Sequence, residues 1–285
     1  MTRPVTVGLD GTPESLAAAD WAAREAYLRG APLRLVNAWP GEPQPELPPE
    51  QEAAWHHWAE RSLRTARNRL GKAYPGLRIA TEQIPGFPIC VLLAEAEGAQ
   101  LLVLGSREVG SVAGFFLGSV GLELAATART PVVLVRGRTG SGAHSDVVVG
   151  LGLRRPCESV LEFAFDAAAR RGAVLRAVHA GRIPAVWGYA PWLVDAGLRD
   201  AREGDGRMLS ATLEPWRAKY PEVRVCEEIA SGSPSRRLVS AGSGAALLIV
   251  GRGPHRGGGL GQRIGPVGQA VTHHGACPVA IVPYE

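Results

Sequence analysis

Two long stretches of this chain repeat one another, and such a repeat constrains the fold more than any local pattern, because both copies must form the same unit. The segment VTVGLDGTPESLAAADWAAREAYLRGAPLRLVNAW (5–39) is echoed by VVVGLGLRRPCESVLEFAFDAAARRGAVLRAVHAG (147–181), with Gly8 answering to Gly150 and Ala31 to Ala173 at an offset of 142. IPGFPICVLLAEAEGAQLLVLGSRE (84–108) is echoed by IASGSPSRRLVSAGSGAALLIVGRG (229–253), where Gly105 answers to Gly251 at an offset of 146. The closing blocks TPVVLVR (130–136) and CPVAIVP (277–283) pair Pro131 with Pro278 at 147. So small a drift means a few loop insertions in one duplicated domain.

Each copy alternates strand and helix signals in one order. VTVGL is a short β-branched run, PESLAAADWAAREAYLRG has apolar residues spaced by three and four, and PLRLVNAW reads as a strand again. A helix over about 49–72 follows, then the strand RIATEQI, a helix over 88–97, the strand LLVLG, a Gly-rich loop, a helix over about 118–128 and the strand VVLVR. LLVLG and its counterpart LLIVG are apolar throughout, as expected of parallel strands covered by helices on both faces. The expected fold is α/β: two tandem doubly wound domains, each a five-stranded parallel sheet flanked by helices, Rossmann-like. A length of 285 residues accommodates two cores. The Gly- and Ser-rich stretch RTGSGAHS places the boundaries at 1–137 for the first domain, 138–145 for a linker and 146–285 for the second domain.

Composition narrows the function classes. A net charge of +4, with arginines scattered among acidic residues, gives no support for nucleic-acid binding but is compatible with a phosphate-bearing small ligand. Cys90, Cys157, Cys226 and Cys277 show no C-x-x-C spacing, so neither a zinc nor a redox motif is signalled, and a reducing cytoplasm is the expected compartment. No apolar run approaches the roughly 18–20 residues that span a bilayer, and no membrane association is expected.

In a doubly wound sheet, ligands bind beyond the carboxyl ends of the strands where strand order reverses. Asp10 ends the first strand; its carboxylate either accepts a hydrogen bond from a ligand or caps the helix that begins near Pro13. After the fourth strand, glycines at 105, 110, 114 and 118 let the backbone approach a ligand, and Gly118-Ser119 opens the next helix. A helix start offers unpaired N–H groups and partial positive charge suited to phosphate, with the Ser119 hydroxyl as a further donor. The alternative is that Gly118-Ser119 is only a cap and the other glycines are turns.

Taken together, VGLDGTPES, LRLVNAW, PGFP, LLVLGSR, LGSV and TPVVLV resemble the universal stress proteins, in the right order over nearly all of each half. The resemblance implies an adenine-nucleotide alpha hydrolase-like fold and a stress-response regulator that binds ATP without catalysis. It places Asp10 near the adenosine, the backbone around Ala38 at the adenine edge, Gly105 in the phosphate-loop signature and the Gly118-Ser119 helix start on the phosphates. Glu108 stands where that signature has its second glycine, and a carboxylate there repels phosphate, so altered or weaker binding is expected. The resemblance also implies a homodimer, or pairing of the two copies, through the last strand of each, PVVLVR and PVAIVP, and an unidentified protein partner.

The second copy departs further. Gly152 replaces Asp10, Pro254 takes the second glycine position, and Gly265-Pro266 replaces Gly118-Ser119, removing an N–H and a hydroxyl. The site is thus expected mainly in the first copy, with a scaffold that binds no nucleotide as the alternative. Arg252, His255, Arg256 and Arg263 form either an anion site or a solvated basic loop. His56-His57 and His273-His274 are read as surface or packing pairs rather than metal ligands, and no catalytic motif is present in either copy. Trp187 and Trp192 lie in a Pro-interrupted apolar insert without counterpart in the first copy.

Overall fold

The computed structural model describes residues 2–39, 49–106, 119–136, 146–153, 157–181, 191–253 and 264–284. These fall into two compact units. The first holds β1 (Val5–Gly8), α1 (Pro13–Arg29), β2 (Leu33–Trp39), α2 (Pro49–Ala73), β3 (Ile79–Pro85), α3 (Pro88–Glu97), β4 (Leu101–Ser106), α4 (Ser119–Thr127) and β5 (Val132–Arg136). The second holds β6 (Val147–Gly150), α5 (Glu158–Arg171), β7 (Leu175–Gly181), α6 (Pro191–Lys219), β8 (Val225–Ser231), α7 (Pro234–Ala241), β9 (Leu247–Arg252), α8 (Pro266–His274) and β10 (Val279–Pro283).

Within the first unit the strands run parallel in the order β3-β2-β1-β4-β5, and within the second in the order β8-β7-β6-β9-β10. The order reverses beside β1 and β6, which opens a crevice at their carboxyl ends. Registers match across the duplication: Val5 pairs with Leu33 as Val147 does with Leu175, and Leu33 with Ile79 as Leu175 does with Val225. The expected doubly wound α/β fold is present in both halves.

The helix stops are duplicated too, while the starts of α1 and α5 differ, the latter having no side-chain cap. Pro13 starts α1 with the Thr12 side chain as its cap. α1 and α5 both stop at a left-handed glycine, Gly30 at φ 59° and Gly172 at φ 58°, a conformation that costs a side chain energy. The inner face of α1 is alanine, with Ala18, Ala19, Ala22, Ala23 and Ala26 buried, so the helix lies close on β1, β4 and β5.

The cores differ where the copies differ. Phe165 stands at the place of Ala23 and is completely buried. Its ring packs 5.9 Å from that of Trp216 and 5.6 Å from that of Tyr220. Both units also keep an arginine on the second strand facing a glutamate on the third: Arg34 with Glu82 and Arg176 with Glu228. Arg34 further donates to Glu95 on α3, and that hydrogen bond raises its guanidinium above the ordinary arginine value. The insert bearing Trp187 lies outside the described residues, whereas Trp192 falls in the first turn of α6, so the second half of that insert is helical. Among the described residues no helix is long and apolar enough to cross a membrane.

Candidate functional site

In the first unit the carboxyl ends of β1, β2 and β4 surround a cavity of about 260 Å³, lined among others by Asp10, Thr12, Ala38, Gly105, Val120 and Gly121. This lies just below the roughly 300–1,000 Å³ of typical small-molecule sites.

Asp10 reaches the crevice through a short chain of hydrogen bonds. Leu9 N–H donates to the Val36 carbonyl at 2.8 Å, which fixes the last residue of the strand run. The Asp10 carboxylate then accepts from Thr12 N–H at 3.0 Å and from the Thr12 hydroxyl at 2.6 Å, while Thr12 Oγ1 accepts from Ser15 N–H at 3.3 Å. Capping of α1 therefore belongs to Thr12. Asp10 holds the cap in place and stays exposed at the crevice.

Ala38 is positioned by its register with Ile84 and by its neighbour Asn37, whose amide donates to the Leu9 carbonyl at 2.6 Å and ties β2 to the end of β1. Gly105 also lines the cavity, but its glycine has a second cause: a Cβ there would lie 2.6 Å from backbone atoms of Glu14 and Ser15. The first turn of α1 sits directly on β4, and no side chain fits between them.

Asp10, Ala38 and Gly105 thus line one cavity. Gly118 lies outside the described residues, as do Glu108, Gly110 and Gly114. Ser119 is the first residue of α4, and its side chain is likewise outside the description. Val120 and Gly121 place the amino end of α4 at the cavity, where unpaired helix N–H groups favour an anion. Asp10 and Glu14 make the rest of the described lining acidic.

Several residues were not singled out from the sequence. Thr12 and Asn37 organise the strand ends; Asn37 was detectable as a lone polar residue within an apolar strand. Trp58, on α2, lies across Gly11, where an added Cβ would meet the indole at 2.0 Å, and remains 46% exposed beside Asp10. His56 packs edge-on against Trp39 with ring centroids 4.9 Å apart, and His57 is on the surface near Glu60. Among the described residues no group of three His, Cys, Asp or Glu side chains is placed to hold a metal ion.

The second unit has a larger cavity, about 850 Å³, at the matching strand ends. Gly152 lines it in place of Asp10, Pro266 opens α8 in place of Ser119, and Tyr284 packs over Gly251 and Gly253. Of the basic cluster noted in its loop, His255, Arg256 and Arg263 lie outside the described residues. The half-buried Arg252 has its guanidinium pulled below the ordinary value by burial.

Comparison with known proteins gives a consistent result. The pattern of the universal stress protein family matches residues 1–136 and again 144–283. A universal stress protein of Mycobacterium tuberculosis is 32% identical over 297 residues, covering 97% of this chain and 96% of its own. The crystal structure of a universal stress protein from Archaeoglobus fulgidus superposes over 98% of both chains with a TM-score of 0.71 at 15% identity, a likeness of fold. A universal stress protein solved in complex with cAMP is 29% identical and covers 48% of this chain, with a TM-score of 0.37.

Proposed function

The chain belongs to the universal stress protein family, with two copies of its domain, and from that premise we propose that it works by binding an adenine nucleotide in the crevice of its first unit, as a regulator rather than a catalyst. The observation that carries this reading is the convergence of Asp10, Ala38, Gly105 and the amino end of α4 on one cavity at the strand-order reversal. A carboxylate at Asp10 suits ribose hydroxyls or an amino group, the β2 backbone at Ala38 suits a base edge, and the start of α4 at Ser119, preceded in sequence by Gly118, suits phosphates. ATP is the nucleotide proposed. The acidic lining and Glu108 make its binding weaker than an uninterrupted glycine loop would give. Residues 1–137 and 146–285 act as the two domains in this reading. Self-association through β5 and β10, the last strand of each unit, is part of it and is checked by light scattering.

The acidic lining also favours a second reading, a scaffold of the same fold that engages a protein partner without nucleotide. Calorimetric titration of the full chain with ATP, alongside mass spectrometry of small molecules released from the purified protein, separates the two. Saturable binding that Asp10→Ala weakens supports the first. Absence of binding at millimolar ATP, with no adenine nucleotide co-purified, refutes it in favour of the scaffold. Steady ADP production abolished by Asp10→Ala would refute the non-catalytic part.

A further inference from the structure

The crevice of the second unit has lost nucleotide features, yet it is the larger cavity and carries polar groups of its own. Three differences from the first copy coincide there. Strand register matches Asn37 with His179 and Trp39 with Gly181. Counted back from Tyr74 and Tyr220, Ala59 on α2 occupies the place of Asp205 on α6. His179, Gly181 and Asp205 line the second crevice, whereas Asn37, Trp39 and Ala59 are not among the described residues that line the first.

The histidine's protonation pattern follows from its partners. His179 Nδ1 lies 2.8 Å from the Leu151 carbonyl, which can only accept, so the Nδ1 position carries the proton. In the neutral ring Nε2 then presents a lone pair, and it faces Asp205 Oδ2 at 3.6 Å. That separation exceeds a direct hydrogen bond, and a ligand donor placed between the neutral ring and the carboxylate would be accepted by both. Gly181 borders the pair: a side chain there would begin 3.1 Å from Asp205 Oδ2 and 4.0 Å from His179 Nε2. Leu153, Val160, Met208 and Tyr284 supply an apolar and aromatic wall.

Charge selects the ligand class. The described lining contains Asp205 but no lysine or arginine, and Pro266 offers no N–H at the start of α8. The partial positive charge at the start of α5 is offset by Glu158 in its first turn. Among the described lining residues phosphate has no cationic side chain to meet it, whereas an ammonium group does have acceptors, and its organic body has Tyr284 for cation–π or apolar contact.

We propose that the second crevice binds an organic amine, its ammonium held between Asp205 and His179 and its apolar body against Tyr284 and Met208. The amine is the ligand, and no bond is made or broken. This site is independent of the nucleotide reading of the first unit.

Phenethylamine is the probe, with 3-phenylpropionate as its anionic counterpart, titrated into the full chain by calorimetry while the His179 ring nitrogens are followed by NMR. The amine is expected to bind saturably and to shift Nε2, and the anion is not. Asp205→Asn should weaken binding by about tenfold or more, the scale of a lost charged hydrogen bond. Gly181→Val should abolish it by filling the space beside the pair. Asp10→Ala should retain it, which assigns the binding to the second unit. Equal binding of anion and amine overturns the proposal, as does an unmoved Nε2 resonance or amine binding that survives Gly181→Val. Should Asp205→Asn melt early, Gly181→Val and the Nε2 shift still decide.

Discussion

Gly105 carries two explanations that a single substitution separates. If its role is to admit a ligand, alanine should cost affinity and leave the fold alone. If its role is to let α1 rest on β4, alanine should cost stability first. The geometry favours the second: an alanine Cβ would lie 2.6 Å from the Glu14 carbonyl carbon and the Ser15 nitrogen, about 0.8 Å short of ordinary van der Waals contact. Those atoms are backbone in the first turn of a helix whose cap is bonded through Thr12 and Asp10, so relief requires moving the helix rather than turning a rotamer. Overpacking of this kind costs about 1–3 kcal/mol, which in a domain of this size lowers the melting temperature by roughly 3–12 °C. Calorimetric melting of wild type and Gly105→Ala measures it, with Gly152→Ala as control. An added Cβ at Gly152 would meet no described residue within 4 Å, and the alanine variant should stay within about 0.5 kcal/mol of wild type. A Gly105→Ala protein that melts with wild type while losing ATP affinity would refute the packing argument.

Phe165→Ala should destabilise the second unit by about 3–5 kcal/mol, read as a shift of its urea midpoint, because the ring is fully buried against Trp216 and Tyr220. Glu25→Ala removes one partner of a 2.6 Å ion pair with Arg29, the two side chains 1% and 8% exposed, and should cost about 3 kcal/mol or more by urea unfolding of the first unit. Trp58 lies across Gly11 beside Asp10, so ATP should change tryptophan emission in the wild type. Most of that change should vanish in Trp58→Phe while calorimetric affinity is kept.

Much of the fold was legible because its causes are local and duplicated. Pro13 and Pro88 mark helix starts, Gly30 and Gly172 mark stops, and the uninterrupted LLVLG and LLIVG runs report strands buried on both faces. The site was partly legible for the same reason: Asp10, Ala38 and Gly105 all sit at strand ends, and the topology gathers those ends. What could not be read is pairwise and distant. Whether Asp10 or Thr12 caps α1 depends on which oxygen reaches Ser15 N–H, and the demand for glycine at 105 arises from a helix ninety residues earlier in the chain. His179 and Asp205 are separated by a long insert, and nothing in either segment announces the other.

The duplication explains why the two crevices could diverge without unfolding the chain. Strand order, register and helix stops are set by residues away from the crevice or by backbone geometry, and these are the features both copies retain. The crevice residues are attached to that frame at equivalent points, and some of them help to hold it: Asn37 and His179 each bond the carbonyl that ends the first strand run, Leu9 or Leu151, so different side chains make the same strand tie in the two copies. With that tie made by an imidazole, its second nitrogen faces α6, where Asp205 Oδ2 lies 3.6 Å away. A frame held by strand order, register and helix stops lets the two crevices carry different side chains, Asp10 in one and His179 with Asp205 in the other.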